Sequence, residues 1–237
     1  MSHNINYQNR KKHGDIIGDK KINEYICYFL EYVSKENQQR LKRKFRNLKS
    51  ESSQIMHTLR ELILGAHLSA SGFRVIYDLV INNQTPDWCI LDEDLSVVGI
   101  IELFSIHIDK ATENKIRQHS ELRDTYIYWR DGQKNNIDRL YQKIEEKAQM
   151  YSSQSTSLDV PYVVAVFGEW ELALDFNEIQ SCLFNEKTGL FNMYPEMSGV
   201  LYFVDQNPLR YLFYYSENPS SFRPITMPTG VFPPESA

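Results

Sequence analysis

Cysteine is scarce in this chain. Three residues, Cys27, Cys89 and Cys182, lie far apart. They form no metal-ligand spacing and no even set for a disulfide framework, which leaves reduced, mostly buried thiols. No apolar run approaches the length of a membrane span. The N-terminus, Met-Ser-His-Asn-Ile-Asn-Tyr-Gln-Asn-Arg, lacks an apolar signal core, so the expectation is an intracellular, cytoplasmic protein with no membrane partner. There is no internal repeat, no glycine-rich phosphate loop and no Ser/His/Asp signature. Those absences count against a solenoid, a P-loop nucleotide site and a serine-hydrolase triad.

What is present is a core. The 237 residues are 42% hydrophobic and 13% aromatic, enough for one sizeable domain with appendages or two small ones. Charge is uneven. Residues 1–50 carry twelve Lys/Arg against five Asp/Glu, a balance of +7, so a net charge of −5 leaves −12 for the rest. Such a split marks either a basic arm for an acidic partner or a head that complements an acidic body.

After a polar stretch over 1–19, Lys20 to about Leu48 has helical periodicity, with Ile22, Tyr25, Ile26, Phe29, Leu30 and Val33 recurring on one side. Its second half holds Arg40, Lys42, Arg43, Lys44 and Arg46 around an apolar stripe of Leu41, Phe45 and Leu48. These five cations can lie along a phosphate backbone, where clustered Lys/Arg gain by counterion release. The other reading is a solvated amphipathic helix packed by its stripe. Ser52 or Ser53 caps a further helix over Gln54 to about Ala70. Its apolar residues fall on two sides, so it is expected to be buried on both, and Glu61 within it needs a partner. His57 and His67 on that helix read as ordinary polar positions. Ser71-Gly72 ends the helix, and Phe73–Ile81 reads as a strand.

The stretch Gln84–His107 reads as two strands, Trp88–Leu91 and Val97–Ile106, joined by an acidic turn. Apolar residues on both faces point to a sheet covered on both sides. A turn at Asp94/Leu95 sets Asp87 opposite Glu102, with Cβ atoms roughly 5 Å apart. Paired carboxylates repel, and a hard divalent cation between them reverses the sign. The alternative is that Asp87 begins a strand and Glu102 is solvated or salt-bridged.

Beyond an insertion over 108–135, with a polar helix at Lys110–Leu122 and an aromatic strand-like run at Tyr126–Arg130 that can stack on bases or pack locally, Asn136–Tyr151 is helical. Its stripe is Ile137, Leu140, Tyr141, Ile144, Ala148 and Tyr151, and Lys147 sits at the border, about 80° from the centre. His107 and His119 have no evident partner set. Pro161–Phe167 is an all-apolar strand, Phe176–Phe184 a helix, and Gly199–Val204 with Tyr211–Tyr215 a strand pair. A proline-rich extended tail occupies 218–237.

A helix with an internal Glu, then Gly-Phe-Arg-Val-Ile-Tyr-Asp, Thr-Pro-Asp-Trp and Ile-Ile-Glu-Leu-Phe, resembles the PD-(D/E)XK phosphodiesterase superfamily. The resemblance covers about residues 54–168 and implies an α/β, restriction-endonuclease-like αβββαβ core. On it, 1–50 becomes a basic helical extension, 51–217 the nuclease-like domain and 218–237 a tail. Pro86-Asp87 matches the first motif, Glu102 the acidic residue of the second, and Glu61 the carboxylate that the first core helix often supplies. The second motif departs from the family pattern, because Phe104 stands where a lysine is expected. An aromatic ring cannot orient water or stabilise phosphate charge as an ammonium does. In some members of the superfamily that lysine comes from the next core helix. Lys147 is the candidate here, with Lys143 in reserve and a plain surface lysine as the alternative.

The resemblance therefore implies a nuclease that hydrolyses DNA or RNA. Asp87, Glu102 and Glu61 would hold Mg²⁺ or Mn²⁺, Lys147 would complete the catalytic set, and the partner would be nucleic acid, with DNA favoured. The competing expectation is a nuclease-fold protein that has lost catalysis and binds nucleic acid, or serves as a protein-interaction subunit. Either form could be a homodimer or part of a larger complex.

Overall fold

The computed structural model describes residues 13–48, 52–106, 131–168, 176–207 and 209–234. The elements run α1 (Lys20–Leu30), α2 (Lys35–Asn47), α3 (Ser52–Ala70), β1 (Val75–Tyr77), β2 (Trp88–Leu91), β3 (Val97–Ile106), α4 (Asp131–Leu158), β4 (Tyr162–Gly168), α5 (Phe176–Phe184), α6 (Leu190–Met193), β5 (Met197–Asn207), β6 (Arg210–Glu217) and β7 (Gly230–Phe232). All seven strands lie in one sheet in sequence order. β1, β2 and β3 pair antiparallel, β3, β4 and β5 pair parallel, and β5, β6 and β7 pair antiparallel. The parallel centre needs crossover connections, and helices supply them. This is an α/β architecture with a mixed sheet covered on both faces.

Alternation along β3 shows how the two faces are filled. Ile101 and Leu103 join a cluster with α1, α2 and α3. Ile100, Phe104 and Ile106 join a second cluster with Leu140, Ile144, Ala148 and Tyr151 of α4. A residue of period two thus chooses its helix layer by parity. β4, from Tyr162 to Gly168, is buried along its whole length, as the all-apolar run requires.

The single helical span expected over 20–48 is two helices. Asp19 caps α1 by accepting from Ile22 N, and Ser34 caps α2 by accepting from Asn37 N. Val33 between them is buried. The segment read as an appended basic arm is welded to the body, since Ile26, Phe29, Leu41 and Phe45 are all core residues. α2 also closes the sheet edge. Asn37 Nδ2 donates to Val75 O at 2.8 Å, and Asn37 Oδ1 accepts from Tyr77 N at 2.9 Å. A side-chain amide thus replaces a neighbouring strand on the outer rim of β1, one way of blunting an exposed edge.

The first strand is shorter than expected. Asp78 turns it off with a left-handed φ of 57°, and Asn82 and Asn83 take positive φ in the following turn. The proline-rich tail is extended, but it also adds β7 to the sheet, where Phe232 packs on Phe29, Tyr32, His67 and Phe213. The expected C-terminal strand pair is β5 and β6, which extend the central sheet. α4 is longer than its sequence stripe, running from Asp131 to Leu158. His107, His119, Lys110–Leu122 and Tyr126–Arg130 lie outside the described residues. Among the described residues no helix is long and apolar enough to cross a membrane.

Candidate active site

The site is built on the register of β2 and β3. Trp88 faces Ile101, Cys89 faces Ile100 and Ile90 faces Gly99. One step further brings Asp87 beside Glu102, and there Asp87 N donates to Glu102 Oε2 at 3.2 Å. The Asp87 carboxylate is held in turn by Leu103 N, which donates to its Oδ2 at 2.8 Å. The turn that sets this register differs from the two-residue turn expected at Asp94/Leu95. Asp92 N donates to Ser96 O, Asp92 Oδ1 accepts from Ser96 N, and Leu95 takes a φ of 66°. That turn alone would leave the pairing one residue out. A bulge at Ile90/Leu91 adds the missing residue and restores the register.

α4 lies over the Glu102 face. Lys147 Nζ reaches Glu102 Oε1 at 2.6 Å, an ion pair with side chains 23% and 8% exposed. Lys143, one turn earlier, is exposed and pairs with Glu146 on the outer surface. Phe104 sits on the Glu102 side of β3 but is 6% exposed and buried against α4. The position expected to carry a lysine is thus filled by core, and the ammonium beside Glu102 comes from the helix above it. Tyr151, on the same helix, has its phenol pushed upward by burial and by the nearby Glu102 carboxylate. Cys89 is raised to about 12 for the same two reasons.

The opposite face belongs to α3. Glu61 is almost fully enclosed, with its side chain 1% exposed. Lys44 Nζ donates to both its oxygens at 3.1 and 3.0 Å, Tyr77 OH donates to Oε2 at 2.5 Å, and His57 Nε2 lies 3.3 Å from Oε1. Burial alone would raise the Glu61 pKa. The hydrogen bond from His57, the charge of Lys44 and the Tyr77 hydroxyl outweigh it and bring the carboxyl down to about 2. Two contacts fix where α3 stands. Trp88 Nε1 donates to Glu61 O at 2.9 Å, and the Trp88 ring lies so close to α3 that a Cβ on Gly65 would stand 1.9 Å from its Cζ2. Gly65 is therefore the residue that lets β2 approach this helix.

Asp87 stands between the two sets. Its pKa is raised well above the ordinary carboxylate value, first by burial and then by the charges of Glu61 and Glu102. Three carboxylates face two lysines, and Asp87 carries the deficit. A proton or a cation is what relieves it.

A divalent metal fits this donor set in one way. Among the described residues no group of three or more His, Cys, Asp or Glu side chains is arranged to hold a metal ion. The chain offers two hard carboxylates, Asp87 and Glu102. Mg²⁺ commonly takes one or two carboxylates and completes its shell with water and substrate phosphates. Glu61 has both oxygens occupied by its own partners.

Of the five cations of the basic run, Lys44 turns inward to Glu61. Arg40 donates to Tyr77 O and Asp78 O and pairs with Glu36. Arg43 and Arg46 are exposed, and Lys42 is half-buried. Three contributors escape a reading of the sequence. His57 had a signal in its i,i+4 spacing to Glu61. Tyr77 and Ser105 had none, since a strand tyrosine and a strand serine are unremarkable until a helix is laid across them. Ser105 Oγ lies 3.4 Å from His57 Nδ1. His67, by contrast, is buried core, stacked on Phe213 with ring centroids 3.7 Å apart, and burial holds its pKa down at about 4. No protein-family model, curated protein or solved structure matches the chain.

Proposed function

We propose that this protein is a metal-dependent nuclease with the αβββαβ core of the PD-(D/E)XK superfamily, acting on phosphodiester bonds of DNA or RNA. The observation that carries the reading is the Lys147–Glu102 pair at 2.6 Å, made from α4 above a strand whose own lysine position is Phe104. The order α3, β1, β2, β3, α4, β4 supports it. So does the electrostatic strain on Asp87, a half-buried carboxyl whose neighbours disfavour its ionised form until positive charge arrives.

In this reading Asp87 and Glu102 hold Mg²⁺ or Mn²⁺. When bound, the metal polarises a phosphate oxygen and lowers the pKa of water. A cation held there would offset the charges of Glu61 and Glu102 that disfavour the ionised form of Asp87. Leu103 N keeps the carboxylate aimed by its hydrogen bond. Lys147 supplies an ammonium beside Glu102, positioned to stabilise negative charge developing on the phosphate. Its side chain is 23% exposed and its ammonium is already held at Glu102, so the head needs little reorganisation. Glu61 stays with Lys44, His57 and Tyr77.

The test is cleavage of single- and double-stranded DNA and of RNA by pure protein in Mg²⁺, Mn²⁺ or EDTA. Metal-dependent cleavage lost in both Asp87→Ala and Lys147→Ala is the expected result. Cleavage lost only in Asp87→Ala rejects the role of Lys147. Metal-dependent cleavage that survives Asp87→Ala rejects the site.

A further inference from the structure

The Glu61 cluster is more elaborate than a structural ion pair needs. Lys44 from α2 and His57 from α3 both rest on one carboxylate that is 1% exposed, yet their own side chains are 33% and 39% exposed. An ammonium has three donors. Two reach Glu61, which leaves one for a group outside. The imidazole continues the chain outward, with Nε2 on Glu61 and Nδ1 beside Ser105 Oγ. The Ser105 hydroxyl, 3.4 Å from that ring, can rotate to donate to an external acceptor. Lys44, one-third exposed, and Ser105, half-buried, thus stand at the outer side of a cluster anchored on one buried carboxylate. Ser105 lies on β3 three residues from Glu102, and Lys44 is felt electrostatically at Asp87.

We propose that Lys44, His57 and Ser105 form a phosphate-binding subsite for the nucleic-acid strand, separate from the Asp87/Glu102 pair, with Glu61 as its buried anchor. It rests on the nuclease reading for the identity of the ligand. Lys44 contacts one backbone phosphate directly. Ser105 donates to another, and His57 is a positioning residue that orients the Ser105 hydroxyl. The groups facing His57 are Glu61 on its own helix, Ser105 on β3 and, through Glu61, Lys44 on α2 and Tyr77 on β1. A strand held there runs from the α2 side toward Asp87, and the cations of the basic run divide between this subsite (Lys44), the fold (Arg40) and solvent (Arg43, Arg46).

Binding of a short fluorescein-labelled oligonucleotide, single-stranded and as a duplex, is measured by anisotropy in EDTA across a salt series. Without metal, binding is read apart from cleavage. Lys44→Met, Ser105→Ala and His57→Gln are each expected to weaken binding by about 3- to 10-fold. Lys44→Met should also lower the slope of log K against log salt by about 0.7 for the single strand or 0.9 for the duplex. Lys187→Met, an exposed cation beyond α5, should change neither. Lys44→Met leaves Glu61 buried without its lysine, so Lys44→Arg and the small change Ser105→Ala keep the test independent of folding, with thermal melting as the check. Lys44→Arg is expected to retain binding. Wild-type affinity in both Ser105→Ala and His57→Gln overturns the subsite, as does a wild-type protein that binds neither oligonucleotide. Weakened binding in these variants, by a protein that never cleaves, keeps the subsite and sinks the nuclease reading alone.

Discussion

Two lysine–carboxylate pairs flank Asp87, one from each face of the sheet, and they are built for different ends. Glu61 is saturated by Lys44, His57 and Tyr77 and is driven down to about 2. Glu102 has one lysine, the Asp87 backbone N–H and the Tyr151 hydroxyl, and its neighbour is the raised carboxyl of Asp87. A saturated buried pair holds structure together, because removing either partner strands a charge. On the proposed reading, an under-neutralised set is where a cation would bind. The Glu102 side then carries the reaction, and the Glu61 side anchors the fold and the phosphate subsite.

The largest expected effect separates them directly. Lys147→Ala should lower kcat about 10²- to 10³-fold, with KM little changed in steady-state cleavage. Asp87→Asn should do at least as much, and yet raise the urea midpoint of the metal-free protein at neutral pH. Its ionisation costs the folded state, and that cost grows as pH rises above the ordinary carboxylate range. A lower midpoint for Asp87→Asn would show that Asp87 is structural after all.

Glu61→Ala should act the other way. Leaving Lys44 and His57 without their anchor is expected to cost about 3 kcal/mol, read from urea unfolding. Its pH signature has the opposite sign to that of Asp87. A folded pKa of about 2 lies below the unfolded carboxylate value, so its contribution is complete above about pH 5. It is lost as pH falls from there toward 2. In Glu61→Gln the urea midpoint should fall less steeply over that window.

Gly65→Ala probes how α3 is set against β2. A methyl group meeting Trp88 should cost about 1–3 kcal/mol through overpacking, and in cleavage assays it should disturb the Glu61 side more than Lys147. The smallest effect is expected at Arg43 and Arg46. Replacing either with Ala should shift stability by no more than about 0.5 kcal/mol, whereas Arg40→Ala loosens α2 from β1 and should show a larger loss in the same melts.

Much of this arrangement was legible in the chain, and the reasons are local. Alternation and β-branching fixed β2 and β3 to the residue, while the pairing of Asp87 with Glu102 rested on a turn placed at Asp94/Leu95. The border position of Lys147 on the α4 stripe marked it as a side chain whose stem could lie on the core while its head reached out. Less legible were the features that depend on two elements meeting. Helix periodicity ran through 20–48 without showing the break at Ser34, because the break is fixed by packing of Val33 and by a cap. The turn after Asp92 looked like a two-residue hairpin, and only the bulge at Ile90/Leu91 reconciles it with the register.

By itself the sequence determined the strands and the helix stripes, because these follow from periods of 2 and 3.6, whereas the bulge at Ile90/Leu91 set Asp87 beside Glu102. Helix spacing set His57 beside Glu61, and tertiary structure decided its other partners, Lys44 and Tyr77. Lys44, His57 and Tyr77 come from three separate elements, and a buried charge takes whichever donors the packing of helices on the sheet brings within reach. It also decided that Arg40 serves the fold and that Lys147, rather than Lys143, meets Glu102. Both outcomes turn on which side of a helix faces the sheet edge, a quantity set by the whole core and by no single stretch of chain.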